Sequence, residues 1–213
     1  MSVLLSQNLL PFRQYAEAEV MNIFSLQGTG LAGQLVAFIT GNQDPNTGAG
    51  SYSTTTNVGA SFANSTSLRH NVTRSVRPTQ AGDTSFNTLG VTLHTTAEYD
   101  ENGNRLILMP KDWVTERGFV LSGQAVPVLK RGVITVKNSS VISINTPQAG
   151  YPVVISTGGN GTFEVLDMAV ATQLNQLTTG GYTYTGSQVI GKVYGYNLSG
   201  FQGIGYTQLA INL

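Results

Sequence analysis

The sequence predicts an all-β protein: a β-barrel or β-sandwich with an extended N-terminal arm, a long Gly/Ser/Thr-rich insertion and one short helix. Three observations predict it. Apolar runs are short and are separated by Gly, Asn and Thr, which is the spacing of a sandwich or barrel rather than of helices. Gly and Thr number 25 each in 213 residues, while charged residues make up 10%, against about 25% in an ordinary domain. Small neutral polar residues therefore take the place of charge, as expected where backbone pairing dominates. Finally, Asn102-Gly103 stands between two apolar runs, and a type I′ hairpin turn needs positive φ at both of its central residues.

The elements follow in order. Residues 1–50 read as an N-terminal arm and first strand. Phe12 to Leu26 is ambiguous between helix and extended arm, and Gln34 to Thr40 is an apolar run bounded by glycines, hence a buried strand. Residues 51–88 read as a loop-rich insertion, because from Pro45 to Asn64 the chain is nearly all Gly, Ser, Thr and Asn. Residues 89–213 form the main β-barrel domain, a single folded unit with 28–42. Leu89 to Tyr99 alternates apolar and polar, and Leu106 to Met109 returns beyond the Asn-Gly turn. Further strands are expected at 125–129, 132–136, 141–144, 152–155, 189–194 and 206–211. The short helix is expected after Asp167, where Val170, Leu174 and Leu177 share a face before Gly180-Gly181 ends the run.

Composition excludes several functions. Eleven basic residues balance eleven acidic ones, so the chain lacks the positive field of a nucleic-acid binder. No cysteine is present, which removes disulfides, thiolate catalysis and cysteine-based zinc sites. The apolar start, Met1 to Leu10, has neither a basic flank nor a small-residue cleavage site and is not read as a signal peptide. No run approaches the roughly 18 apolar residues of a spanning helix.

The chemistry-bearing patterns are few. Gly28-Thr-Gly-Leu-Ala-Gly33 matches the dinucleotide fingerprint, but a strand-like run follows it where the mechanism needs a helix N-terminus; a turn is the better reading. Asp100, Asn102 and Asn104 have the spacing of the first calcium-loop ligands, yet Lys111 stands where the distal Glu belongs. The carboxylate pairs Glu17/Glu19 and Asp100/Glu101 fall in an arm and a turn, a poor setting for the two opposed acids of a glycosidase. His70 and His94 lack a serine-and-acid arrangement. No catalytic residue, cofactor or metal site is expected, and an enzyme is not.

Several segments carry a resemblance. Gly30-Leu-Ala-Gly-Gln-Leu-Val-Ala-Phe38, Gln124-Ala-Val-Pro-Val-Leu-Lys-Arg-Gly-Val-Ile-Thr-Val136, Ala149-Gly-Tyr-Pro-Val-Val-Ile155, Val189-Ile-Gly-Lys-Val-Tyr194 and Tyr206-Thr-Gln-Leu-Ala-Ile-Asn-Leu213 resemble the successive strands of small β-barrel capsid decoration proteins of tailed bacteriophages. The resemblance implies a structural virion protein made in the host cytoplasm. It would act as a homo-oligomeric cement protein on the outer surface of the phage head, bound to the major capsid protein and to neighbouring copies of itself, with no nucleic acid and no membrane. The alternative is another phage structural protein (tail tube, adaptor or fibre/receptor-binding protein), in which Tyr182, Tyr184, Tyr194, Tyr196 and Tyr206 would contact glycan; the plainer account of these tyrosines is cross-strand packing.

Two segments are expected to touch partners. The apolar start (Leu4, Leu5, Leu9, Leu10, Phe12) has no matching polar face and is expected to be buried, against another chain in preference to its own domain. Arg69, Arg74 and Arg77 lie in a stretch that holds no acid between Asp44 and Asp83, and they are expected to pair with carboxylates of a neighbour, because the guanidinium fork binds them bidentately.

Overall fold

The computed structural model describes residues 8–10, 12–26, 30–38, 74–97, 105, 114, 118–121, 124–143, 146–166, 177–179, 182–184, 189–201 and 204–213. The fold is all-β. In chain order the strands are Val20–Leu26 (β1), Leu35–Phe38 (β2), Arg74–Pro78 (β3), Thr88–Thr92 (β4), Thr95–Thr96 (β5), Phe119–Val120 (β6), Ala125–Leu129 (β7) and Arg131–Lys137 (β8). They continue with Val141–Ser143 (β9), Pro152–Ile155 (β10), Phe163–Val165 (β11), Leu177–Thr179 (β12), Tyr182–Tyr184 (β13), Val189–Phe201 (β14) and Ile204–Asn212 (β15).

Five strands close a barrel in the order β1-β3-β2-β4-β7. The β1–β3 pair is parallel, with Phe24 opposite Arg74, and the other pairs are antiparallel. Inside it sit Phe24, Leu26, Val36, Val76, Leu89, Val126 and Val128, with Phe24 and Phe38 edge to face at 5.6 Å between ring centroids. Val36 pairs with Gly90 and Ala37 with Thr88, so Leu89 is the extra residue of a bulge and joins the interior cluster. The opposite faces of the same strands carry Leu35, Val91 and Leu129 into a larger core. That core is completed by a six-stranded sheet, order β8-β15-β14-β10-β11-β9, through Ile134, Val153, Phe163, Ile190 and Leu209. One face of the barrel wall thus packs on the sheet; alternation along β2 and β7, and the bulge in β4, supply both cores.

A tight turn stitches the two units. Between β10 and β11, Gly159, Asn160 and Gly161 all have positive φ. The Gly161 carbonyl accepts the Leu35 N–H at 2.8 Å, and its own N–H donates to the Thr79 carbonyl at 3.1 Å. A Cβ at Gly161 would stand 2.7 Å from the Leu35 carbonyl oxygen, so position 161 needs glycine for space as well as for its left-handed backbone.

Three expectations change here. The ambiguous segment 12–26 is extended, with a 3-10 turn at Glu17–Glu19 leading into β1. Residues 74–78 lie within the segment read as an insertion, yet they form β3, and Val76 is fully buried in the barrel. Leu177 belongs to a strand, paired with Tyr184, and not to the end of a helix; Val170 and Leu174 lie outside the described residues, as does the Asn102-Gly103 turn.

Candidate functional site

The arm runs along the β8 edge of the six-stranded sheet. Leu10 N–H donates to the Thr135 carbonyl at 2.8 Å, Lys137 N–H to the Asn8 carbonyl at 2.8 Å, and Gln14 and Val133 exchange bonds of 2.9 and 2.8 Å. Isolated antiparallel bridges join Leu9 to Val136 and Gln14 to Val133. Leu9 and Leu10 are buried in this single chain, and Leu9 belongs to the main core. The expectation that these two leucines wait for another chain is therefore corrected: β8 is an edge strand with unpaired backbone, and the arm covers it in cis. Phe12 is 53% exposed. Leu4 and Leu5 lie outside the described residues.

Arg77 also finds its carboxylate at home. Its Nη1 donates to Asp83 Oδ2 at 2.7 Å and its Nη2 to Asp83 Oδ1 at 2.9 Å. The same carboxylate accepts the Gln80 N–H at 2.7 Å and the Asn87 amide at 2.8 Å. Burial raises the pKa of Asp83, but the bonds from Arg77 and Gln80, the Arg77 charge and the Asn87 bond outweigh it and hold the carboxyl below its ordinary value. The bidentate chemistry was expected; the partner is corrected from a neighbouring chain to the turn that follows β3. Arg74 contributes its backbone to β3, and its side chain and Arg69 lie outside the description.

The exposed candidate is the β14–β15 hairpin. Strand β14 pairs with β10 as far as Lys192, and Val193 exchanges backbone bonds with Tyr151 and Gly150. From Gly195 on, its described pairing is with β15 alone, and β15 itself pairs with β8 only as far as Tyr206, opposite Asn197, so beyond Asn197 the hairpin extends past the sheet. Leu198 on this extension is 72% exposed. Asn138 clips its base: the Asn138 Nδ2 donates to the Asn197 carbonyl at 3.1 Å, and its Oδ1 accepts the buried Thr207 hydroxyl at 2.8 Å. The amide passes over Gly205, where a Cβ would stand 2.5 Å from Nδ2. Asn138→Ala strands the Thr207 hydroxyl and is expected to cost about 1–2 kcal/mol. Amide exchange should accelerate at 197–206 and stay unchanged in the barrel; uniform acceleration would show that Asn138 supports the whole fold instead.

Of the five tyrosines, Tyr194 is 64% exposed, Tyr196 and Tyr206 are half-buried, and Tyr182 and Tyr184 are described by backbone only. Strand β2, not a helix, follows Gly33, which leaves no helix N-terminus for a pyrophosphate at the Gly-rich turn. Glu17 is exposed and Glu19 half-buried on the 3-10 turn, and Asp100 and Glu101 lie outside the described residues. Among the described residues no three metal-ligating side chains cluster. His94 is half-buried, and burial, with the charge of Arg13, pushes its pKa down. No helix among the described residues is long and apolar enough to cross a membrane. No family model and no curated protein matches the chain. Asp83, Asn138 and Leu198 were not singled out in the sequence; only an Asp six residues after an Arg-Pro step hinted at the first.

Proposed function

We propose that the chain is a structural virion protein, a capsid decoration protein that binds the outer surface of a phage head and stabilises its lattice as a homo-oligomer. The observation that carries the reading is the projecting hairpin: an exposed leucine on a charge-poor strand extension, tied at its base by Asn138. The strand resemblances and the scarcity of charge support it. With the arm folded in cis, the hairpin replaces Leu9, Leu10 and Arg77 as the contact surface. Contact through such a surface gains from apolar burial, at about 25 cal/mol per Å², and depends little on salt.

Particles assembled with the protein are expected to survive heat and pressure that disrupt particles without it, and Leu198→Asp should empty the lattice sites at every salt concentration. Equal resistance of the two kinds of particle defeats the cement role. Copies imaged at one vertex or along a tail, not across the head, place the chain in the tail or fibre class.

A further inference from the structure

We propose that the outer face of the six-stranded sheet carries a binding site for an acidic oligosaccharide. An open groove of about 870 Å³ crosses β8, β15 and β14 there, within the range of small-molecule sites. Its floor includes the cross-strand row Val133, Ala210 and Lys192, where the small Ala210 keeps the centre low. Arg131 and Lys192 are both exposed at it, and among the described residues no Asp or Glu lines it. Among the described residues neither cation has a hydrogen bond or ion pair, the one salt bridge there being Arg77–Asp83. Tyr194 lines the groove with Lys192 and is itself 64% exposed.

This combination selects a class of ligand. Two unpaired cations on a groove without acids call for an anion. They lie on strands two apart, roughly 10 Å across the sheet, a separation that suits charges on different units of a chain rather than one small ion. The exposed ring offers an apolar face, which a pyranose can cover with its C–H groups while its carboxylates or sulfates reach the cations. A peptide strand is the weaker fit. The β15 and β14 backbone beneath the groove is already paired on both sides, so no ladder is open there for strand addition, and the open-edged part of β14 begins beyond it.

The test uses the purified full chain, so its outcome does not depend on the capsid reading. The probes are a galacturonate hexamer and a chondroitin sulfate hexasaccharide, with maltohexaose and hexaglutamate as comparisons. At least one acidic sugar should bind, and maltohexaose and hexaglutamate should bind at least about tenfold more weakly. The Arg131→Gln/Lys192→Gln double variant and Tyr194→Ala should each weaken binding about tenfold, the scale of a lost charge-assisted contact or stacking face. Both variants should keep the wild-type melting temperature, because the three side chains are exposed. No binding of either acidic sugar overturns the proposal. So does unchanged affinity in Tyr194→Ala or in the double variant, and hexaglutamate binding as tightly as the sugars assigns the groove to an acidic peptide.

Discussion

Asp83→Ala is expected to lower the stability of the fold by about 3 kcal/mol, the scale on which removing one partner of a largely buried ion pair acts. The carboxylate is nearly inaccessible, and Arg77 is four-fifths covered, so the variant leaves a guanidinium with little water to replace its partner. The Gln80 N–H and the Asn87 amide lose an acceptor at the same time. Both flank the turn that joins β3 to β4, so the loss falls on barrel closure. The pH dependence has a definite sign. The folded pKa lies below the ordinary value of 3.8, so the stabilisation is complete above about pH 4 and is lost as pH falls through the folded value. Thermal melts of the wild type and Asp83→Asn should differ at pH 7, and the gap should narrow progressively as pH falls below 3.8. The difference between the two proteins isolates Asp83 from His94, whose lowered pKa also destabilises the fold in acid. A gap that stays constant down to pH 2 would show that the carboxylate charge is not what holds the turn.

Phe163→Ala should cost about 4 kcal/mol, from lost burial plus the cavity it leaves. Phe163 is among the largest fully inaccessible side chains, and it lies in the core shared by barrel wall and sheet. Its backbone pairs with both Ile155 and Val141, so the site has little freedom to collapse. Denaturant midpoints of the two proteins measure the effect. A cost below about 1 kcal/mol would mean that barrel and sheet close over the gap. Because domains of this kind are stable by only about 5–15 kcal/mol, the expected loss takes a large share of the total.

What could be read from the residues and what could not divide along one physical line. Runs such as Leu35–Phe38, Ala125–Leu129, Val133–Val136 and Pro152–Ile155 announce themselves because their branched and apolar side chains must be buried wherever the chain puts them. Strand β11 was missed because three residues with a central Glu carry no period; Glu164 is buried there, with Thr157 donating to it through N–H and hydroxyl at 3.2 and 3.3 Å. Strand β3 was missed for a related reason. Val76 is flanked by Ser75 and Arg77, and Arg77 is tolerable beside the barrel only once Asp83 has folded back against it.

The arm is the clearest case of a decision taken in three dimensions. Leu9 and Leu10 declare that they will be buried, but not by what; that depends on β8, over 120 residues away, presenting an open edge at the right place. The all-β class, the zero net charge and most of the strands were legible in the residues, because they follow from local periodicity and composition. Folding in three dimensions was needed to pair β1 and β3 in parallel and close a barrel, to seal the sheet with its own arm, to satisfy Arg77 internally, and to bring Arg131, Lys192 and Tyr194 to one groove. Each of these joins residues far apart in the chain, and such pairings are chosen by the burial and hydrogen bonding of the whole fold, which no short stretch of sequence encodes.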